Sequence, residues 1–328
     1  MSERPLNVAK NEKVGDLPRP LEELSDEGIR RKQCISKIMT YALKSLTLEF
    51  VYNGFEWLLP VIFSQSTDPL WPDSGASIEK RVEVEIYGKT ARTTTSMIVH
   101  KMVACSLAIP KLFILSPNVR IEKSERAFTG MHAYEFTQLD FEAKNATSQD
   151  IRSFVEGTVA RLVDDLKMNM TDELLFLRKR EIRTPRVPFR VYDKAELQEE
   201  NGKEWEPQIL SKTKDPFWVT NIPREFYDFE DLDTGKWDNY DLYLPHYGEV
   251  LSGARREFEY AKLSAKMYRD GVRTENYKVL LELAKQGRLQ PTAGAGIGIE
   301  RLISWIVEAK HIGETQVFPK IPGIVNDL

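Results

Sequence analysis

The chain has 328 residues, of which 41% are hydrophobic and 29% are charged, which is typical of a globular protein with one large or two ordinary domains. Lys and Arg total 46 against 50 for Asp and Glu, so the net charge of −4 gives no overall basic signature of a nucleic-acid binder. The 2 cysteines exclude a disulfide framework, the 4 scattered histidines show no metal-ligand spacing, and no apolar run reaches the roughly 18 residues of a membrane span. We therefore expect a cytoplasmic protein.

The N-terminal part of the sequence predicts a polar lead, a helix and a strand. The lead covers about residues 1–30, and helical periodicity runs from about Asp26 to Asn53, where Gly54 predicts the end of the helix. "FEWLLPVIF" then predicts one strand. Proline cannot donate a hydrogen bond to a sheet, so Pro60 within this strand indicates a sheet edge or an interface.

The middle of the chain contains a charged hairpin. "VEVEIYG" predicts a strand and "SMIVHKMVACSLAI" a helix, followed by "NVRIEKSERAFTGMHAYEFTQLDFE", residues 118–142, as two alternating runs joined by a charged loop. Alternation places charged and polar side chains on one face of these strands. Such a face is expensive to bury against apolar neighbours, so we expect it to hold a ligand.

The second half of the chain continues with helices and strands. Thr147 and Asp150 resemble a capping box before a predicted helix, whereas residues 167–213 predict an irregular surface excursion. "PFWVTNIP" and "YDLYLP" predict strands, and "GEVLSGARREFEYAKLSAKMY" predicts a strand that leads into a helix. The order of elements predicts an α+β fold with a largely antiparallel sheet flanked by helices.

A glycine-rich strand near the C-terminus suggests a ligand site. The alternate glycines of "AGAGIG" lack the spacing of a dinucleotide fingerprint, but they leave one strand face bare, so that a ligand can lie against the backbone. Arg301 follows at the start of a helix, where its guanidinium group can stack on an aromatic ring. With Phe136 as the opposite wall and Arg120 as a phosphate clamp, these residues predict a nucleotide site without a P-loop.

Four segments in this order resemble class II aminoacyl-tRNA synthetases of the aspartyl and asparaginyl group. "FEWLLPVI" resembles their motif 1, "VRIE…HAYEFTQLDFE" motif 2 and "GAGIGIERL" motif 3, while "YDLYLPHYGEVLSGARRE" resembles their acidic metal-binding strand and SGxxR element. The resemblance runs from about residue 31 to residue 328 and implies the catalytic domain of that family. It also implies a homodimer formed through motif 1, with Pro60 at the interface.

The resemblance implies ATP and Mg2+ as cofactors and gives roles to individual residues. The implied ATP-binding residues are Arg120 for the α-phosphate, Glu122 for the adenine amine, His132 for the γ-phosphate, Phe136 and Arg301 for the adenine ring, and Glu249. Arg120 and Arg301 would also be catalytic, and Asp241 and Glu249 would hold Mg2+. Met131 departs from the family, which usually has arginine there.

The implied amino-acid site favours aspartate. The residues that would bind it are Ser96, Lys101, Gln138, Asp140 and Arg256. Lys101 falls on the lysine that pairs with the substrate's side-chain carboxylate in aspartyl enzymes, and Arg256 is its second partner. A buried cation without its counter-charge is costly, so this pair would select aspartate over asparagine. Ile98 departs from the family's glutamine.

The acceptor of the activated amino acid is predicted by a closer resemblance. "GFEWLLPVIFSQSTDPLWPD" and "NIPREFYD" resemble archaeal asparagine synthetases related to asparaginyl-tRNA synthetase. This implies an AMP-forming aspartate–ammonia ligase, in which ammonia attacks a β-aspartyl adenylate. About 30 residues precede the motif 1 helix, too few for a five-stranded anticodon-binding barrel, so tRNA binding is not expected. The alternative is a synthetase-like enzyme that charges a tRNA or another acceptor.

Overall fold

A computed structural model describes residues 17–65 and 78–326 of the chain. Its first long helix, α1, spans Asp26–Tyr52, and the side chain of Ser25 caps the helix by accepting a hydrogen bond from the Gly28 N–H. Gly54 follows with φ at 80°, a conformation that suits glycine because it has no Cβ. The predicted helix is therefore confirmed, whereas residues 1–16 of the predicted polar lead lie outside the described residues.

The prediction of one strand over "FEWLLPVIF" is wrong. The segment forms two short strands, β1 at Glu56–Trp57 and β2 at Phe63–Ser64, with Pro60 in the connection between them. β1 pairs with the main sheet and β2 pairs with a separate three-stranded sheet. Because proline lacks an N–H donor, the connection cannot continue one hydrogen-bonded ladder through this position.

The remaining helices and strands follow in chain order. Up to the middle of the chain they are β3 Ile78–Lys80, β4 Glu83–Ile86, β5 Lys89–Thr93, α2 Ile98–Leu107, β6 Lys111–Val119, β7 Ile121–Glu122, β8 Glu135–Lys144, α3 Ser148–Asn169 and α4 Thr171–Leu177. The later ones are β9 Arg190–Asp193, α5 Lys194–Asn201, α6 Trp205–Lys212, β10 Phe217–Thr220, β11 Glu230–Asp231, β12 Lys236–Trp237, β13 Asn239–Leu244, β14 Gly248–Arg255, α7 Tyr260–Arg269, α8 Lys278–Lys285, β15 Thr292–Gly298 and α9 Ile299–Val307.

One eight-stranded sheet organises the described residues, with the strand order β1-β6-β8-β15-β14-β13-β10-β9. Its central strands are antiparallel, and the two edge strands β1 and β9 run parallel to their neighbours. Helices flank the sheet, so the predicted α+β class is confirmed. None of the helices in the described part of the chain is long and apolar enough to cross a lipid bilayer.

The predicted hairpin at residues 118–142 has a different first strand. β8 pairs with β6 from Lys111 to Val119, and the chain leaves the main sheet at Arg120, so that Ile121–Glu122 pairs with β3 instead. The Arg120 N–H still donates to the Tyr134 carbonyl oxygen at 2.8 Å. Arg120 and Glu122 therefore lie beside the end of the sheet rather than within its strands.

The prediction that residues 167–213 form an irregular excursion is also wrong. This region contains α4, α5 and α6, and its strand β9 forms one edge of the main sheet. Leu197, Trp205, Ile209 and Leu210 form a small buried cluster with residues of β10 and β13. The helices are only 7–8 residues long, which gives too few turns for a clear hydrophobic period.

The two faces of β8 have different surroundings. Leu139, Phe141 and Ala143 point into the main core, where they pack with α1, α3 and α9. Phe50 of α1 is fully buried there, and its ring contacts the Phe141 ring at a centroid distance of 5.0 Å. Because side chains alternate along a strand, the residues between these three face the opposite side of the sheet. That side carries the candidate site.

Candidate active site

The floor of the site is formed by β8 and β15. Gln138 and Asp140 on β8 lie opposite Gly298 and Gly296 on β15. A Cβ on Gly296 would lie only 2.8 Å from Asp140 Oδ1 and 2.9 Å from Gln138 Nε2. The absence of a side chain at this position therefore leaves room for the polar side chains of β8, as the alternation of glycines predicted.

A first cavity of about 290 Å3 contains the residues predicted to bind ATP. Its lining includes Arg120, Glu122, His132, Phe136, Glu249 and Arg301. The Arg120 guanidinium group lies 5.0 Å from the centre of the Phe136 ring. Arg301 donates to the carbonyl oxygens of Glu249 and, at 3.0 Å, of Met131, so backbone contacts fix its guanidinium group at the cavity wall.

Three arginines, Arg120, Arg126 and Arg301, surround His132 in or beside this cavity. Burial lowers the pKa of His132 to about 3, and the charges of Arg301, Arg126 and Arg120 contribute to the decrease. His132 is therefore neutral at physiological pH. These cations favour a phosphate group beside His132, and Glu122, Glu249 and Glu300 add negative charge to the same cavity.

Sequence reasoning missed Arg126 in this cluster. Its Nη1 lies 3.1 Å from His132 Nε2, and its Nε lies 3.8 Å from Glu122 Oε2. Met131 occupies the position where the family usually has arginine, and the geometry brings Arg126 to the same histidine. The only sign of this role in the sequence was that Arg126 is a basic residue in the charged loop of the hairpin.

A second cavity of about 160 Å3 contains the residues predicted to bind aspartate. Its lining includes Ser96, Ile98, Lys101, Gln138, Asp140 and Arg256. It shares Arg120, Gln138, Glu249 and Gly296 with the first cavity. The two cavities therefore meet at Arg120, where a bound carboxylate and an α-phosphate would come together.

The two cations of the second cavity are already paired with protein carboxylates. Lys101 Nζ lies 3.1 Å from Asp140 Oδ1 and 3.7 Å from Glu142 Oε2. Arg256 lies 3.3 Å from Glu142 Oε1 and 2.5 Å from Asp228 Oδ1. Sequence reasoning missed Glu142 and Asp228 as partners of these cations. A substrate carboxylate would have to share Lys101 and Arg256 with them.

Asp241 and Glu249 lie together on neighbouring strands, β13 and β14. Tyr243, two residues beyond Asp241, pairs with Glu249 across the strands. Asp241 is buried and lies 3.1 Å from Arg224; burial raises its pKa to about 7, and the Glu249 charge adds to the increase. No cluster of three or more potential metal ligands occurs among residues 17–65 and 78–326. Two carboxylates fit a divalent cation whose other ligands are phosphate oxygens and water.

Glu300 is a further residue of the first cavity that sequence reasoning missed. Both of its carboxylate oxygens accept from the Thr137 N–H at 3.0 Å. Thr137 lies between Phe136, which lines the first cavity, and Gln138, which lines both cavities. Burial raises the pKa of Glu300 to about 7, against hydrogen bonds that favour the charged form. Glu300 therefore holds β8 in place beside Arg301, its neighbour in α9.

Comparison with known proteins identifies the family. Residues 78–322 match the family of class II tRNA synthetases for D, K and N, and this match covers most of the chain. The chain therefore belongs to the class II tRNA synthetase (D, K and N) family. The predicted family is confirmed at this level, whereas the closer resemblance to asparagine synthetases is not tested by the match.

The similar curated proteins include asparagine–tRNA ligases of archaea. The ligase of Thermococcus kodakarensis is 31% identical over 241 residues, which are 67% of this chain and 55% of the ligase. The ligase of Pyrococcus abyssi is 30% identical over 296 residues, 82% of this chain and 65% of the ligase. This chain thus spans between about half and two thirds of the length of these relatives.

The fold also matches solved structures. Asparaginyl-tRNA synthetase from Pyrococcus horikoshii, complexed with asparaginyl-adenylate, superposes with a TM-score of 0.81 and 24% identity over 94% of this chain and 75% of that one. At this identity the likeness shows the fold. It confirms the predicted class II synthetase-like sheet flanked by helices.

Proposed function

We propose that the site activates aspartate with ATP, forming an aspartyl adenylate and pyrophosphate. The observation that carries this proposal is the position of Arg120, which lines both the first cavity and the smaller second cavity. Adenylation requires a carboxylate to attack the α-phosphorus, and a cation at the junction neutralises both negative groups. Burial and the absence of competing water would strengthen this effect.

The family resemblance implies roles for the other residues of the first cavity, and we propose the same roles here. Phe136 and Arg301 would hold the adenine ring, and Glu122 would accept a hydrogen bond from its amine. His132 would lie beside the γ-phosphate as a neutral ring, because its pKa is about 3, and its Nε2 accepts a hydrogen bond from Arg126. Asp241 and Glu249 would hold Mg2+, which supplies positive charge to the phosphates when bound.

Aspartate is the proposed amino acid because two cations line its cavity. Lys101 and Arg256 would bind the side-chain carboxylate, and Ser96, Gln138 and Asp140 would bind the rest of the molecule. Asp140 and Glu142 share Lys101 before substrate arrives, so they keep the buried cation neutralised. Asparagine would leave the same cations without an additional negative charge.

A tRNA is the acceptor that the comparisons favour. The relatives that match over 82% of this chain are asparagine–tRNA ligases, and an aspartate–tRNA(Asp) ligase of Picrophilus torridus is 28% identical over 253 residues. Transfer of the aspartyl group to a tRNA is therefore the proposed second step. The expectation from the sequence that tRNA does not bind has no support in these relatives.

Ammonia is a second candidate acceptor. The observation in its favour is the aspartate-type pair Lys101 and Arg256 in a chain that is similar to several asparagine–tRNA ligases. An enzyme that takes aspartate and yields asparagine, AMP and pyrophosphate would combine these features. Incubation of the protein with ATP, Mg2+, aspartate and ammonium, without RNA, distinguishes the candidates. Asparagine with equimolar AMP supports ammonia, whereas AMP formation that requires added tRNA supports the tRNA acceptor.

We also propose a homodimer that buries the region around Pro60. Several large apolar side chains are exposed there, including Trp57 at 52%, Leu59 at 87% and Ile62 at 50%. A second copy of the chain would remove these side chains from water. Light scattering should give twice the chain mass, and Leu59→Asp should reduce it to the mass of one chain.

A further inference from the structure

A third cavity adjoins the amino-acid cavity on the side away from ATP. It has a volume of about 940 Å3, and its lining includes Arg81, Arg92, Trp237, Arg269 and Arg273. It shares Arg224 and Glu225 with the amino-acid cavity. Among the described residues, it shares no lining residue with the first cavity.

The position of this cavity offers a route for the second substrate. Once the adenylate has formed, its phosphate and adenine fill the ATP side of the amino-acid cavity. An acceptor must then approach the activated carbonyl group from a side that ATP leaves open. The 940 Å3 cavity meets that requirement, and its boundary with the amino-acid cavity is formed by Arg224 and Glu225.

The two boundary residues differ in their interactions. Arg224 is held by Asp241 at 3.1 Å, by Asp228 at 3.7 Å, and by the Ser252 hydroxyl. Glu225 forms no salt bridge within residues 17–65 and 78–326, and its carboxyl group interacts with its own backbone N–H. At this boundary, Arg224 is held by salt bridges, whereas the Glu225 carboxyl group forms none with the described residues.

Of the other carboxylates around the amino-acid cavity, Glu249 is a proposed Mg2+ ligand, and Asp140 and Asp228 already have partners. Asp140 pairs with Lys101, and Asp228 pairs with Arg256. Burial raises the pKa of Glu225 and the charge of Asp228 adds to the increase, while the positive charges of Arg224 and Arg256 oppose it. A carboxylate with a raised pKa is a better proton acceptor than one with the ordinary value.

We propose that Glu225 accepts the proton that the attacking atom of the acceptor loses during aspartyl transfer. This inference rests on the proposed function. The attacking nitrogen or oxygen forms a bond to the aspartyl carbonyl carbon, and the bond from that carbon to the phosphate oxygen breaks. The electron pair of the broken bond leaves with AMP. With ammonium, the first proton goes to Glu225 before attack, and the second passes to solvent.

The test compares the two half-reactions in Glu225→Gln, which keeps the shape of the side chain. Aspartate-dependent exchange between ATP and pyrophosphate should be unchanged in rate and in KM for aspartate. Transfer to the acceptor that the wild-type protein uses, ammonium or tRNA, should fall about 100-fold or more. Hydroxylamine is already deprotonated at neutral pH, so release of aspartyl hydroxamate should stay near the wild-type rate. Glu275→Gln, an exposed carboxylate on another segment, is the control.

Each other result overturns a distinct part of the account. Normal transfer by Glu225→Gln removes Glu225 from proton transfer. A raised KM for aspartate in the exchange reaction, with an unchanged transfer rate, makes Glu225 a ligand of the substrate instead. Equal losses with ammonium or tRNA and with hydroxylamine indicate a structural role. Wild-type protein without exchange activity contradicts the proposed function itself, and exchange without transfer to either acceptor overturns the proton-transfer role.

Discussion

Lys101 Nζ lies 3.1 Å from Asp140 Oδ1, and both side chains are buried on the wall of the amino-acid cavity. The same Nζ donates to the Ala295 carbonyl oxygen at 2.9 Å, which connects α2 to β15 as well as to β8. A buried ion pair of this kind is costly to break from one side, because the remaining charge is left without a partner. Lys101 therefore contributes to both the site and the fold.

Lys101→Met should affect aspartate activation and stability together. Loss of the cation leaves Asp140 and Glu142 buried without it, which should lower the free energy of unfolding by about 3–5 kcal/mol. KM for aspartate in ATP–pyrophosphate exchange should rise strongly, while ATP binding measured by calorimetry should change little. Lys285→Met, on the exposed face of α8, is the control. Equal losses of ATP and aspartate binding would contradict the role of Lys101 in selecting the side chain.

Arg301→Ala should weaken the use of ATP. Its guanidinium group is fixed by backbone carbonyl groups at the cavity wall, so the loss of its charge cannot be replaced by a mobile side chain. The exchange rate should fall by about 100-fold or more. Arg301→Lys should not restore it, since a lysine cannot stack as a planar group. The exposed Arg288→Ala is the control, and an unchanged rate in Arg301→Ala would remove Arg301 from the site.

Two glycines of β15 should respond differently to alanine. A Cβ at Gly294 would overlap the Phe141 carbonyl oxygen and the Glu142 carboxylate, whereas a Cβ at Gly298 would lie 3.6 Å from its nearest neighbour, the Val250 carbonyl oxygen. Gly294→Ala should therefore cost about 3 kcal/mol or more of stability, and Gly298→Ala should cost much less. Chemical denaturation of both variants checks this. Similar costs would contradict the close approach of β15 to β8.

Glu300→Gln should change how stability depends on pH. The pKa of Glu300 is raised from 4.5 to about 7 in the folded protein, so the folded state binds a proton more tightly than the unfolded state. The stability contributed by protonated Glu300 is thus complete below about pH 4.5 and is lost as pH rises through about 7. The difference between these two pKa values corresponds to about 3 kcal/mol in the free energy of unfolding.

Unfolding by urea at several pH values measures this effect. The stability of Glu300→Gln relative to wild type should increase between about pH 4.5 and 7 and be constant outside that range. Glu275→Gln should follow wild type at every pH, because Glu275 is exposed. A constant difference across the whole range would show that burial does not perturb Glu300.

The sequence predicted the parts of the fold that have a local cause. Gly54 follows α1 in a left-handed conformation, and Thr147 caps α3 with a capping box, as expected, whereas the Ser25 cap of α1 was not predicted. The prediction of one strand over "FEWLLPVIF" was wrong because the division of this segment between two sheets depends on pairing with distant strands. The short helices α5 and α6 were not predicted because 8 residues show too little hydrophobic periodicity.

Individual residues of the candidate site were predicted only where they lie in a motif that resembles the family. All six predicted ATP residues and all five predicted aspartate residues line adjoining cavities. Glu142, Asp228 and Glu300 act on those residues through tertiary contacts between distant segments, and no local pattern indicates such contacts. Arg126 became a candidate only when the fold brought it to His132. Glu225 became a candidate only because it lies at the boundary of two cavities.

The most direct test of the central claim is amino-acid-dependent exchange of pyrophosphate into ATP, with Mg2+ present and RNA absent. Aspartate should support exchange, and asparagine at the same concentration should support it about 100-fold less, since Lys101 and Arg256 favour a negatively charged side chain. Preference for asparagine, or no exchange with either amino acid, would contradict the proposal that this site forms an aspartyl adenylate.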